Sequence, residues 1–170
     1  NTLTRLLLAR LVENTDAYNL TPDDCYLIST ASAFHDIGKV GIDESILNKP
    51  GKLTKEEFET MKEHTLIGAS MLDKLEHYKD EKMIKIAYQI CRWHHERWDG
   101  TGYPLGLKGE EIPLIARIVS VVDSYDSIIN DKVYSKGRNK QEAIEELRRC
   151  SGKQFDPNIV EVFCKVISKN

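Results

Sequence analysis

The sequence has no Cys-X-X-Cys pair. Its four cysteines, Cys25, Cys91, Cys150 and Cys164, lie far apart. That spacing excludes a zinc ribbon and a thioredoxin-like motif, and it predicts free core thiols of a reducing, cytoplasmic compartment. Long apolar runs are missing as well. Leu6-Leu7-Leu8-Ala9 is far short of the ~20 residues that cross a bilayer, and no signal peptide is legible. No basic excess is present: the formal net charge is −3. DNA is therefore not an expected partner, nor is a polybasic contact with a membrane. Alternating strand patterns are absent, and so are repeats and low-complexity segments.

What remains is helical. Leu3, Leu6, Leu7 and Leu11 recur at helical spacing over residues 3–12. Thr21-Pro22-Asp23-Asp24 opens a second helix, expected to run to about Asp36 and stop at Gly38. Pro50-Gly51 marks a turn. Thr54-Lys55-Glu56-Glu57 is a capping box, and Phe58, Met61, Thr65, Gly68, Leu72 and Leu75 form the apolar face of the helix it opens. Further helices are expected over 81–95 with Asp80 as cap, from Pro113 through Ile129, over 139–150, and over 157–168 with Asp156 as cap. Residues 99–113, rich in glycine and proline, read as an irregular loop. The fold class is all-α: one domain over residues 1–170 with about seven helices.

Chemistry concentrates in two doublets, His35-Asp36 and His94-His95, with His64 and Asp123. All six are nitrogen or oxygen donors. Consecutive helical residues point about 100° apart, so neither doublet can aim both side chains at one point from an ideal helix. Paired metals ~3.5–4 Å apart, or the looser geometry of a helix end, resolve this, and paired metals suit phosphoester hydrolysis. Each residue also has a plainer role. His64 alone reads as core, Asp123 as a solvated carboxylate, and Lys39 as a lysine completing a helix dipole. His77 reads as surface. The stretch Arg97-Trp98-Asp99-Gly100-Thr101-Gly102-Tyr103-Pro104 is neither a P-loop nor a dinucleotide fingerprint. It is a tight turn that can present Tyr103 to a ligand, whereas Trp98 reads as packing.

These segments together resemble the HD-GYP family of metal-dependent phosphohydrolases. The likeness rests on His35-Asp36-Ile37-Gly38-Lys39, on Ile46 to Thr54, on Met61-Lys62-Glu63-His64, on His94 through Pro104, and on Asp123-Ser124-Tyr125-Asp126. It covers about residues 20–165. The resemblance implies a helical fold and cleavage of cyclic di-GMP to a linear dinucleotide or GMP. By position, His35, Asp36, His64, His94, His95 and Asp123 are the implied ligands of two divalent transition metals, iron or manganese. Asp36 would bridge the ions. Lys39 would contact the scissile phosphate, and Tyr103 and Lys132 would bind substrate. Glu96 and Asp99, with Gly100, Gly102 and Pro104, would support the site and its loop. The resemblance also implies an N-terminal sensor or receiver domain in the full-length protein, and contact with GGDEF domains through the glycine-rich loop.

The chain departs from the family at three places, the slightest being Val122 where the family usually has Ala before the last implied metal Asp. Another metal-binding His, expected upstream, would precede Asn1, so the domain reads as truncated at its N terminus. The family's two-cation segment after the last Asp reads Lys132-Val133-Tyr134-Ser135, with one cation lost. Three other readings therefore stay open: a receptor that binds without turnover, an interaction module, and an enzyme for another cyclic nucleotide.

Overall fold

A computed structural model describes residues 2–14, 18–78, 80–130 and 137–169. The expected segment 132–135 lies outside them. Among the described residues there are nine α-helices and no β-strands. In chain order they are α1 (Thr2–Asn14), α2 (Pro22–Ala31), α3 (Glu44–Leu47), α4 (Lys55–Lys62), α5 (His64–Asp73), α6 (Lys82–Trp93), α7 (Leu114–Ile129), α8 (Lys140–Arg149) and α9 (Pro157–Lys169). The all-α expectation holds. The helix count rises from seven because α3 forms a single extra turn and the helix expected after Thr54 breaks at Glu63 into α4 and α5.

The legible caps do what their chemistry dictates. The Thr21 hydroxyl accepts from the Asp24 amide at 3.1 Å, and the Asp24 carboxylate accepts from the Thr21 amide at 2.9 Å. Thr54 and Glu57 repeat this exchange at the start of α4. Such a cap stabilises a helix by about 1 kcal/mol. Asp156 accepts from the Asn158 amide at 2.9 Å ahead of α9. Asp80 does not cap α6. That helix starts after Glu81 with no side-chain cap.

The core packs α1, α2, α6, α7, α8 and α9 around Leu7, Leu11, Ile90, Ile118, Leu147 and Phe163. The buried stripe of α1 is Thr4, Leu7, Leu8 and Leu11, with Leu6 turned outward, a rotation the four-leucine pattern did not resolve. The four cysteines are free thiols, as expected. Cys91 donates to the Phe34 carbonyl at 3.0 Å, and burial pushes its pKa up to about 12. No helix among the described residues is long and apolar enough to cross a membrane.

Two departures from the expected helices create the site. α2 ends at Ala31, and the chain continues through 3₁₀ turns at Ser32–Phe34 and Ile37–Gly41. His35 and Asp36 thus sit at a bend, where successive side chains are freed from the 100° helical step. Gly38 holds that bend against α5. A Cβ there would lie 1.9 Å from the His64 carbonyl oxygen and 2.5 Å from the Gly68 amide nitrogen. Only glycine permits so close a backbone approach.

Candidate metal centre

Each expected ligand occupies an element end or an inward face. His35 and Asp36 lie at the bend after α2, and His64 is the first residue of α5. His94 caps the C-terminus of α6, and His95 lies in the turn beyond it. Asp123 projects from the middle of α7. The structure brings all six together. Asp36, His64, His94 and His95 each offer a donor atom, and these four atoms lie within 4.8 Å of one another. His35 joins from the other side, with Nε2 at 3.4 Å from Asp36 Oδ2 and 3.3 Å from Asp123 Oδ1.

The two oxygens of Asp36 therefore face different partners. Oδ1 faces His64 Nε2 at 3.4 Å and His94 Nε2 at 3.9 Å. Oδ2 faces His35 and the Lys39 ammonium, the latter at 2.5 Å. A carboxylate so placed can serve two cations at once.

Tautomers follow from the backbone. His35 Nδ1 lies 2.8 Å from the Ser32 carbonyl, His64 Nδ1 2.7 Å from that of Met61, and His94 Nδ1 2.9 Å from that of Ile90. A carbonyl only accepts, so each Nδ1 carries the hydrogen. In a neutral ring Nε2 then keeps its lone pair, the arrangement found behind metal-binding histidines. Asp36 Oδ1, His64 Nε2 and His94 Nε2 are buried and have no hydrogen-bond partner. Orphaned buried polar atoms are uncommon, and three converging on one point fit a divalent metal bound by nitrogen and oxygen.

Electrostatics divide the four histidines into three neutral rings and one that the carboxylates hold charged. Burial pushes the His64, His94 and His95 imidazoles down, His95 to about 3, so all three stay neutral at pH 7. Burial alone would lower His35 too, but the Asp123 and Asp36 carboxylates outweigh it and raise its pKa to about 10. Burial would raise Asp36, yet His35 and Lys39 hold it well below the usual carboxylate range.

The glycine-rich loop walls the site. Tyr103 stacks on His95 with ring centroids 4.8 Å apart and planes 21° from parallel. Glu96, 2% exposed, organises the loop from beneath. Its two oxygens accept the amides of Leu105 at 2.7 Å and Leu107 at 3.0 Å. Asp99 accepts the amide and hydroxyl of Thr101 at 3.0 and 2.6 Å. Both acids hold the loop rather than a histidine. Gly100 has a positive φ of 83°, and a Cβ on Gly102 would strike the backbone at Arg97, 2.3 Å away. Pro104 follows a cis peptide bond. Trp98 packs beneath the Arg117 guanidinium at 5.7 Å, as a packing residue should. His77 is exposed. Sequence reasoning missed the buried Arg117–Asp156 pair at 2.7 Å, whose partners lie 39 positions apart.

A cleft of about 670 Å³ opens beside the cluster. His94, His95, Tyr103 and Asp123 line it together with Ser120, Ser124 and Arg138. That volume falls within the usual range for small-molecule sites.

The chain is similar to known proteins in sequence and in fold. The sequence model of the HD domain family matches residues 2–159. A cyclic di-GMP phosphodiesterase of Vibrio cholerae serotype O1 is 46% identical over 151 residues, covering 88% of this chain and 31% of its own length. A cyclic di-GMP phosphodiesterase of Thermotoga maritima is 45% identical over 139 residues, covering 82% of this chain and 37% of its own. The chain thus spans about a third of the length of these curated relatives. Among solved structures, Bd1817, an HDG"Y"P protein from Bdellovibrio bacteriovorus, superposes with a TM-score of 0.69 at 20% identity, over 98% of this chain and 50% of that one. That likeness concerns the fold. On sequence, fold and clustered residues together, the chain belongs to the HD domain family, and within it to the HD-GYP group.

Proposed function

We propose that this chain is the catalytic domain of a metal-dependent phosphodiesterase that hydrolyses cyclic di-GMP to a linear dinucleotide or GMP. One observation carries the reading. Asp36 aims one oxygen at His64 and His94 and the other at His35, and His35 in turn meets Asp123. Asp36, His64, His94 and His95 would hold one ion, and His35 and Asp123, with Asp36, a second. Bound there, two divalent metals, iron or manganese for this donor set, supply Lewis acidity that activates water near neutral pH and offsets phosphodiester charge.

The chain's own groups do the rest. Nδ1 hydrogen bonds to backbone carbonyls lock the orientation of His35, His64 and His94. Lys39 places a cation at the edge of the cluster, where it offsets the carboxylate and stands near the position of an incoming phosphate. Tyr103 forms the wall against which substrate lies. Lys132, outside the described residues, is assigned a second phosphate contact on sequence alone. The relatives' greater length supports a regulatory sensor or receiver domain elsewhere in the polypeptide. The exposed Leu105 on the glycine-rich loop is the feature that suits contact with a GGDEF domain.

Turnover of cyclic di-GMP by protein loaded with manganese or ferrous iron tests this reading, with other cyclic dinucleotides assayed in parallel. Linear product from the wild type and none from Asp36→Ala is expected. Equal turnover by both would remove Asp36 from the chemistry, and no turnover by the loaded wild type would leave a receptor.

A further inference from the structure

The cleft has two unlike walls. α7 supplies hydroxyls, with Ser120 and Ser124 four residues apart on one face. α4 supplies Phe58 and Lys62, also four apart. The sequence pattern puts Phe58 on the apolar face of its helix. In the structure Phe58 is 45% exposed and lines the cleft. Its ring meets that of Tyr103 edge to face, centroids 6.4 Å apart. The Lys62 ammonium rests 5.1 Å from the Phe58 centroid and 5.5 Å from that of Tyr103. Tyr103 itself stacks on His95. An unbroken aromatic wall therefore runs outward from the cluster through His95, Tyr103 and Phe58, with a cation along it. The carboxylate partner of Lys62, Glu59 at 2.7 Å, is 69% exposed, so the ammonium is free to exchange it for a phosphate oxygen.

We propose that Phe58 and Lys62 form the subsite for the nucleotide unit that is not being cut, its base stacking on Phe58 and its phosphate meeting Lys62. This rests on the cyclic dinucleotide reading above. Phe58 supplies affinity rather than base identity, because every nucleobase offers a π-face. Lys62 supplies a point charge with three donors. Neither touches the bond that breaks, so both act on substrate binding and leave the chemical step alone.

The test uses the full chain loaded with manganese. It measures kcat and KM for cyclic di-GMP, and the Kd of the linear dinucleotide product by calorimetry, for Phe58→Leu, Phe58→Trp, Lys62→Met and Lys62→Arg. Phe58→Leu keeps apolar bulk without an aromatic face. It should raise KM and product Kd by roughly 5- to 150-fold, with kcat within about twofold of wild type. Phe58→Trp should retain wild-type affinity. Lys62→Met should weaken both constants and flatten their salt dependence, and Lys62→Arg should restore them. Metal content should be equal in all variants. If the wild type cleaves cyclic di-GMP while Phe58→Leu and Lys62→Met leave KM and Kd unchanged, the subsite is wrong and the enzyme reading stands. A fall in kcat at constant KM would overturn it as well. A wild type that neither binds nor cleaves the dinucleotide takes down both.

Discussion

Replacing Gly38 by alanine should damage the metal centre without touching a ligand. An added Cβ would fall 1.9 Å from the His64 carbonyl oxygen and 2.5 Å from the Gly68 amide nitrogen. Both are backbone atoms and cannot rotate away. Ordinary contact begins at 3.4 Å, so the bend and α5 must part by about 1.5 Å, an overpacking that costs roughly 1–3 kcal/mol. For a chain of this size that corresponds to a Tm lower by roughly 2–12 °C. The bend carries Asp36 and α5 begins with His64, whose facing atoms are now 3.4 Å apart. A functional site tolerates displacements of about 0.5 Å, so metal retention should fall, and turnover should drop by about 100-fold. Gly41→Ala is the control. Its Cβ would meet only the Ile67 side chain, 2.9 Å away, which can change rotamer. Calorimetric unfolding and elemental analysis of both variants decide the matter. Wild-type Tm and full metal content in Gly38→Ala would refute the reasoning.

Two further substitutions probe the supports of the site. Glu96→Gln keeps one acceptor but turns an NH₂ toward the amide of Leu105 or Leu107, at a cost of about 1.5–3 kcal/mol. Amide hydrogen exchange across residues 99–113 should accelerate, and unchanged protection at those two amides would contradict the assignment. Asp156→Ala strips the Arg117 guanidinium of its partner and uncaps α9. The two side chains are 1% and 11% exposed, so urea unfolding should show a loss of about 3–5 kcal/mol. A loss below about 1 kcal/mol would mean that water reaches the pair.

The caps were legible because their chemistry is local: Thr21 with Asp24, Thr54 with Glu57, and Asp156 ahead of Pro157 each act within three residues. The clustering of the six side chains was legible too, since two doublets in one short chain called for paired metals or helix ends, and the structure places both doublets at helix ends. The break at Glu63 carries no glycine or proline signal, and the stop after Ala31 precedes any breaker. The bend at Gly38 packs directly against α5 between these two points, a contact that no local pattern announces. Phe58 fits the apolar face of its helix by spacing, yet α4 turns that position toward the cleft. Arg117 with Asp156 shows the limit of sequence reading, since no local pattern joins residues 39 apart.

The most direct test of the account is the metal stoichiometry of protein loaded anaerobically with ferrous iron or manganese and then desalted. About two equivalents per chain are expected for the wild type. Asp36→Ala, which removes the carboxylate shared by both positions, should retain well under one at unchanged helical content. A wild type that holds no metal, or an Asp36→Ala variant that holds as much as wild type, would contradict it.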